Sequence, residues 1–148
     1  MDVKSMLDDR VIDLQMEAKD KKEAITYLAG KLKEAGYIDN VEEYIEDIYL
    51  RESQGQTGIG NYIAIPHGKS DSVSQVGIAI GKVKEEIQWE TLDGKGVKLI
   101  FLFAVGNDNE NAKTHLRLLA EVARKLGNDE AVQQLLDAKT VEDLKAVF

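Results

Sequence analysis

Two segments in the first third of the chain carry apolar residues at the spacing of an amphipathic helix. The first covers residues 21–35 and is followed by Gly36, a residue type that commonly ends helices. The second covers residues 41–52 and follows Asn40, whose side chain suits an N-cap. The pattern therefore predicts two consecutive helices. Their apolar positions are Ala24, Ile25, Leu28, Ala29, Leu32, Val41, Tyr44, Ile45, Ile48 and Tyr49.

The middle of the chain changes to the shorter period of β-strands. Residues 63–65 form a short extended piece, because Ile65 precedes a proline and is pushed towards β geometry. Large apolar residues alternate with smaller ones over residues 76–80, as they do in a strand. Residues 97–105 are nearly all apolar, which is typical of a strand covered on both faces, and an Asp-Gly turn at 93–94 precedes them.

The period becomes helical again after Gly106. Two shorter helices are predicted at residues 129–136 and 140–148, the second with a capping sequence at its start. A longer helix precedes them, and its predicted apolar face consists of Leu116, Leu119, Ala120, Ala123 and Leu126, broadened by Leu118 and Val122. Helices, then strands, then helices predict the α/β class: a single layered domain over residues 1–148 with a central mixed, mostly buried β-sheet flanked by helices.

Composition removes several classes of protein. The chain has no cysteine, which excludes disulfides, thiolate metal sites and cysteine nucleophiles. The first ten residues lack the apolar core of a secretory signal, and the apolar run at 99–105 is far shorter than a membrane span, so we expect a cytoplasmic protein without membrane insertion. A formal net charge of −8 argues against nucleic acid and is compatible with a basic protein partner.

One of the two histidines stands next to the only proline, in the sequence Ile65-Pro66-His67-Gly68. Proline fixes the direction in which the chain leaves the strand, and glycine leaves room beside the imidazole. His67 is therefore predicted at a strand end, where open α/β sheets carry their ligand sites. The alternative is a turn histidine without a role.

A second histidine and an arginine extend this candidate site. His115 is predicted in the first turns of a helix, near Asp108, Asn109 and Asn111 as candidate N-caps. The positive end of the helix dipole disfavours imidazolium, so a neutral ring is expected there. Arg51 ends the second helix and offers a planar charged fork to an oxyanion. The alternatives are a partly buried helix histidine and a solvated helix-end charge.

Other site chemistries lack their residues. The two histidines do not form an H-x-x-x-H pair, and no Asp or Glu stands at ligand spacing to either, so no metal site is predicted. No G-x-S-x-G elbow is present, and GQTGIGNY lacks the G-K-[ST] ending of a P-loop, so no cofactor is predicted. A histidine nucleophile remains.

The segment RESQGQTGIGNYIAIPHGK resembles the active-site segment of the enzyme IIA proteins of fructose/mannitol type (EIIA type 2), from the bacterial phosphoenolpyruvate:sugar phosphotransferase system. The resemblance continues through IQWETLDGKGVKLIFLFAV at 87–105 and THLRLLAEVARKL at 114–126, in the family's order, and so covers most of the chain. The combination of R-E-S, T-G-I-G-N, I-A-I-P-H-G and a distant H-L-x-L-L is specific.

The resemblance implies a role for each matching residue. His67 matches the histidine that accepts a phosphoryl group from the phosphocarrier HPr and passes it to a IIB protein or domain, which serves the membrane permease IIC. Arg51 and His115 match the arginine and the second histidine beside it. Thr57, Gly58, Gly60 and Asn61 are further candidates for stabilising the phosphoryl group, the glycine segment through its backbone N–H groups.

Some questions stay open at this level. Nitrogen-type IIA proteins and IIA-like domains of transcription regulators resemble the same segment, so signalling through phosphorylation state is an alternative to sugar transport. A binding module without phosphoryl transfer is a third hypothesis. The sequence does not name the sugar. Tyr62 stands where many members have Gly, which puts the rim of the site in doubt. Ile59, Tyr62 and Ile63 are predicted to supply the apolar area for docking of HPr and IIB.

Overall fold

The computed structural model describes residues 2–148. Its helices are α1 (Val3–Met6), α2 (Lys21–Glu34), α3 (Val41–Glu52), α4 (Asn109–Leu126), α5 (Asp129–Asp137) and α6 (Val141–Lys145), with a 3₁₀ turn at Asp9–Val11. Its strands are β1 (Ile12–Asp13), β2 (Gly58–Gly60), β3 (Ile63–Ala64), β4 (Gly77–Ile87) and β5 (Val97–Ala104). Within these residues no helix is both long enough and apolar enough to cross a bilayer.

The five strands form one mixed sheet in the order β1-β4-β5-β3-β2. β4 and β5 are antiparallel, with Ile80 opposite Phe101, whereas β3 runs parallel to β5, with Ile63 opposite Leu99. β1 lies parallel to β4 on one side, and β2 pairs antiparallel with β3 on the other. The α/β class and the mixed central sheet predicted from the sequence are confirmed.

Helices cover both faces of the sheet, because the side chains of a strand alternate between its faces. In β5, Ile100 and Leu102 face α2 and α3, while Phe101 and Phe103 face the helices α4, α5 and α6. The side chains of both clusters are almost completely buried. The uninterrupted apolar run of β5 is therefore a consequence of its central position between two layers of helices.

Polar side chains cap the helices at the predicted places. Asn40 accepts a hydrogen bond from the Glu43 N–H at the start of α3, and Asp108 does the same for Asn111 in α4. Thr140 forms a capping box with Asp143 at the start of α6. These contacts satisfy N–H groups that have no partner within the helix.

The predicted apolar face of α4 is confirmed at Leu118, Val122 and Leu126, but its centre was placed about one residue away from the buried face. The buried positions of this helix are His115, Leu118, Val122 and Leu126, whereas Leu116 is 65% exposed. Ala120 and Ala123, also predicted to face the core, are exposed. Two apolar stripes lie side by side on this helix, and the shape of the sheet surface opposite α4 decides which of them is buried.

Candidate functional site

A cavity of about 400 Å³ opens at the carboxyl ends of the parallel strands β3 and β5. It lies between the last turns of α3, the segment that follows β3 and the second turn of α4. The structure brings His67, His115 and Arg51 together in its wall. The complete lining is Asp47, Leu50, Arg51, Gln54, His67, Gly68, Lys69, Val105 and His115.

Backbone hydrogen bonds hold both the ring of His67 and the residue that precedes it. The ring atom Nδ1 lies 2.9 Å from the Ile65 carbonyl oxygen, and Pro66 accepts a hydrogen bond from the Phe103 N–H at 3.0 Å. Because a carbonyl oxygen only accepts, Nδ1 carries the proton. The Nε2 atom of the neutral ring therefore has a free lone pair, which is the requirement for a nucleophile.

Position 68 has room only for glycine, because the backbone of α3 lies directly beside it. A Cβ atom built at Gly68 would lie 2.9 Å from the Asp47 carbonyl oxygen and 3.3 Å from the Ile48 Cα. The backbone that follows His67 therefore packs directly on α3, a contact that any side chain would open. This contact sets the distance between the histidine loop and the helix that carries Arg51.

His115 is a buried histidine in contact with His67. The two ring centroids lie 5.2 Å apart with an angle of 39° between the ring planes, and Phe103 contacts the other side of His115 edge-on at 5.3 Å. The residue is 8% exposed, and its Nδ1 atom has no hydrogen-bond partner among the described residues. Burial, together with repulsion from His67 and Lys69, lowers the pKa of His115 to about 4. The expected neutral imidazole is thus supported, with burial rather than the helix dipole as the main cause.

Arg51 is fixed at the end of α3. One guanidinium nitrogen donates a hydrogen bond to the Gly55 carbonyl oxygen at 3.0 Å, and the residue lines the cavity. The helix itself is tied to the sheet by Tyr44, whose buried hydroxyl donates to the Phe103 carbonyl oxygen at 2.7 Å. Arg51 therefore extends from a rigid support, as oxyanion recognition requires.

The structure does not bring the other four candidates into this cavity. The Thr57 hydroxyl donates to the Glu52 carboxylate, and the Gly58 carbonyl oxygen accepts from the Leu92 N–H. The Asn61 N–H donates to Asp93 at 3.0 Å, and Gly60 packs against the same carboxylate. A segment that faces a carboxylate is a poor place for a phosphoryl group. The sequence predicts that backbone N–H groups of Gly58 and Gly60 bind the phosphoryl group, whereas these glycines form strand β2.

Tyr62 lies at the opposite end of β3 from His67 and does not line the cavity. Its φ of 68° is in the left-handed region, which explains why glycine suits this position. Its ring contacts Lys98 and Lys95, at 4.8 and 5.5 Å from the ammonium nitrogens. The doubt about the rim of the site is thereby removed, because this substitution does not reach it.

The predicted apolar docking patch is also wrong. Ile63 is completely buried, and neither Ile59 nor Tyr62 borders the cavity. The exposed apolar side chains near the histidines are instead Leu50, which is 62% exposed and lines the cavity, and Leu116, which is 65% exposed and follows His115.

Three polar cavity residues were missed by sequence reasoning. Asp47 lies one helical turn before Arg51, Gln54 follows Arg51 by three residues, and Lys69 ends the PHGK segment. The helical spacing of Asp47 and Arg51 was a usable signal. Of the described residues, no three of His, Asp and Glu lie close enough together to hold a metal ion.

Known proteins of one family are similar to this chain over most of its length. The family model described as phosphoenolpyruvate-dependent sugar phosphotransferase system, EIIA 2, matches residues 5–148. The mannitol-specific phosphotransferase enzyme IIA component of Bacillus subtilis is 35% identical over 93% of this chain and 92% of its own length. The fructose-specific EIIABC component of the same species is 37% identical over 95% of this chain. The chain spans only 22% of that longer relative.

Solved structures share the fold. The nitrogen regulatory protein IIA-Ntr from Neisseria meningitidis superposes with a TM-score of 0.88 at 28% identity, over 98% of this chain and 97% of its own. The Escherichia coli mannitol enzyme IIA, in a complex with phosphorylated enzyme IIB, superposes with a TM-score of 0.79 at 22% identity, over 95% of both chains. With a family model over nearly its whole length and a relative matched almost end to end, the chain belongs to the EIIA type 2 family of the phosphoenolpyruvate-dependent sugar phosphotransferase system.

Proposed function

We propose that His67 accepts a phosphoryl group from phospho-HPr and passes it to a IIB protein or domain during uptake of a sugar by a fructose/mannitol-type system. The observation that carries this proposal is the contact between His67 Nδ1 and the Ile65 carbonyl oxygen, which leaves Nε2 as the nucleophilic atom. The cytoplasm is the proposed compartment, and residues 1–148 act as one domain.

The transfer needs no proton to move on this chain. The Nε2 lone pair attacks phosphorus, a bond from Nε2 to phosphorus forms, and the bond from phosphorus to the donor breaks with its electron pair returning to the donor. The proton stays on Nδ1 throughout, hydrogen bonded to the Ile65 carbonyl oxygen. The second transfer is the reverse in form, with Nε2 as the leaving atom and an acceptor group of IIB as the nucleophile.

Most of the groups that line the cavity where the negative charge arrives are positive or neutral, and Asp47 is the exception. A phosphoryl group brings about −1.5 to −2 charges. Arg51 offers its charged fork and Lys69 an ammonium in the same cavity, and the buried, neutral ring of His115 lies beside His67. The Asp47 carboxylate repels the negative phosphoryl group, which favours its onward transfer over its retention on His67.

Both partners are proposed to dock on the face that surrounds this cavity. HPr and IIB must each reach His67, so they use overlapping surface in turn. Leu50 supplies exposed apolar contact at the cavity and Leu116 next to His115, and the net charge of −8 favours association with basic surfaces. Assembly with a IIB component is a property of the mannitol enzyme IIA relative, and we extend it to this chain.

Phosphoryl labelling tests the proposal. Purified chain is incubated with phosphoenolpyruvate, enzyme I and HPr, and the acid-labile phosphate is mapped by peptide analysis. Wild type and His115→Ala are expected to become labelled, and His67→Ala is not. Label that persists in His67→Ala would contradict the proposal.

A regulatory role is the second candidate, because IIA-Ntr from Neisseria meningitidis has a very similar fold at 28% identity. In that case phosphorylation of His67 would switch the binding of a regulatory partner. The two functions separate when a IIB protein of fructose or mannitol type is added to the phosphorylated chain. Loss of the label to IIB favours transport, whereas label that stays on His67 favours signalling.

A further inference from the structure

We infer that Thr57 and Glu52 form a positioning pair, which sets the placement of Arg51 relative to His67 without contacting the phosphoryl group. The inference rests on the proposed function, since it concerns the same transfer. It gives Thr57 a different role from the one expected from the sequence.

Glu52 is a buried carboxylate with two partners. One oxygen accepts a hydrogen bond from the Thr57 hydroxyl, and the other lies 2.7 Å from the Lys21 ammonium. The Glu52 side chain is 5% exposed and that of Lys21 is 16% exposed. The Lys21 ammonium also lies 5.0 Å from the centre of the Trp89 ring. A buried charge with both oxygens engaged holds its neighbours in one geometry.

Thr57 connects this carboxylate to the histidine. Its side chain binds Glu52, while its backbone carbonyl oxygen accepts a hydrogen bond from the Ile65 N–H at 3.0 Å. The Ile65 carbonyl oxygen in turn contacts His67 Nδ1 at 2.9 Å. A movement of Thr57 would therefore be transmitted to the support of His67 through a single residue.

Thr57 and Glu52 also enclose the loop that orients Arg51. The arginine directly precedes Glu52, and its guanidinium donates to the carbonyl oxygen of Gly55, which lies between the two members of the pair. The Thr57 hydroxyl closes this loop onto the end of α3. The pair thus anchors the loop at both ends and keeps the Gly55 carbonyl where it holds Arg51.

Lys21 keeps the charges separate. A carboxylate adjacent to Arg51 would attract the guanidinium and weaken its field in the cavity. Because Lys21, which also contacts Glu90 at 3.3 Å, pairs with Glu52, and neither member of that pair lines the cavity, the charge of Arg51 remains available to the phosphoryl group. Replacing Lys21 would leave a buried carboxylate unpaired, so the hydroxyl of Thr57 is the better group to remove.

The experiment measures single-step transfer from pre-formed phospho-HPr to Thr57→Val, which keeps the shape of the side chain and loses its hydroxyl. We expect the rate to fall about ten-fold, within the roughly hundred-fold range that small misplacements cost. Thr57→Ser, which keeps the hydroxyl, is expected to stay within about two-fold of wild type. Thr140→Val is the control for loss of a threonine hydroxyl, because it removes an exposed hydrogen bond at the N-cap of α6, outside the cavity, and should transfer at the wild-type rate.

A double-mutant cycle separates positioning from a general loss of stability. If Thr57 acts through Arg51, then Thr57→Val in an Arg51→Ala background changes the rate by less than about two-fold. Three results would overturn the inference while leaving the phosphorylation of His67 intact. They are a full additional ten-fold loss of rate for Thr57→Val in the Arg51→Ala background, a wild-type rate for Thr57→Val alone, and an equal loss of rate in Thr57→Ser. Failure of His67 to become labelled in the wild type would instead overturn the proposed function.

Discussion

The rings of His67 and His115 lie with their centroids 5.2 Å apart, yet they occupy different environments. His67 is half-buried and has its Nδ1 hydrogen bonded to backbone, whereas His115 is buried against Phe103 with Nδ1 unpartnered among the described residues. The first ring is thus oriented for attack, and the second is kept neutral beside it. Two like residues acquire different properties from their surroundings.

Phosphorylation of His67 should raise the pKa of His115. The ring is neutral at pH 7 because burial lowers its pKa to about 4, and a new negative charge beside it favours the protonated form. Imidazole NMR shifts followed against pH in the free and the phosphorylated protein measure this change. An unchanged His115 titration after phosphorylation would show that the phosphoryl group does not lie beside this ring.

The low pKa of His115 also predicts a dependence of stability on pH. The unfolded chain binds a proton near pH 6.5 and the folded chain only near pH 4, so protonation favours the unfolded chain. Above pH 6.5 His115 causes no loss in the free energy of unfolding. As the pH drops towards 4, this residue lowers the free energy of unfolding by up to about 3 kcal/mol. Urea unfolding of wild type and His115→Gln between pH 7 and pH 4.5 tests this, since the variant should lose less stability than the wild type. Parallel curves would contradict it.

Arg51→Ala should slow transfer from phospho-HPr by about ten- to a hundred-fold, because it removes a charge-assisted contact of about 1.5–3 kcal/mol. Arg51→Lys keeps the charge but loses the planar fork and should recover only part of the rate. Arg124→Ala, an exposed arginine in the last turn of α4, is the matched control and should be neutral. Rates are measured by quenched flow, and a wild-type rate for Arg51→Ala would remove this residue from the account.

Gly68→Ala and Gly30→Ala should change stability in opposite directions. At Gly68 the new methyl group meets the backbone of α3 at 2.9 Å, which costs about 1–3 kcal/mol and displaces His67. At Gly30, inside α2, nothing lies within 4 Å of the added atom, so the variant should gain about 0.5–1 kcal/mol. Thermal unfolding measures both changes. Equal stability of the two variants would show that Gly68 does not pack on α3 in solution.

Leu50→Ala and Leu116→Ala should raise the KM for phospho-HPr with little change in kcat, since Leu50 lines the cavity, Leu116 is an exposed neighbour of His115, and both are proposed to contact the partner. Leu92→Ala is the control, because Leu92 is 71% exposed but lies on the connection between β4 and β5. Steady-state transfer assays compare the three. Equal effects at all three positions would mean that docking does not centre on the cavity.

The sequence predicts the fold well where local signals and burial agree. The caps of α3 and α4, the central strand β5 and the strand-end position of His67 all follow from patterns within a few residues. The face of α4 that is buried was not predictable in this way. It depends on which of two adjacent apolar stripes fits the surface formed by Phe101 and Phe103.

The same distinction applies to the site. His67 and Arg51 stand in recognisable sequence motifs, and the structure places both residues in one cavity. Gly60 and Asn61 contact Asp93, which lies more than thirty residues further along the chain, and no local sequence pattern predicts that contact. The exposed leucines near the histidines, Leu50 and Leu116, were missed for a related reason. A residue close to His67 in sequence need not be close in space, because a strand separates Tyr62 from the histidine.

The most direct test of the account is the position of the phosphoryl group on the ring of His67. Two-dimensional ¹H–¹⁵N NMR of the protein phosphorylated through phospho-HPr distinguishes the two ring nitrogens. The account predicts a phosphorus bond at Nε2 of His67, with Nδ1 still protonated and hydrogen bonded to the Ile65 carbonyl. A phosphoryl group at Nδ1 of His67, or on His115, would contradict it.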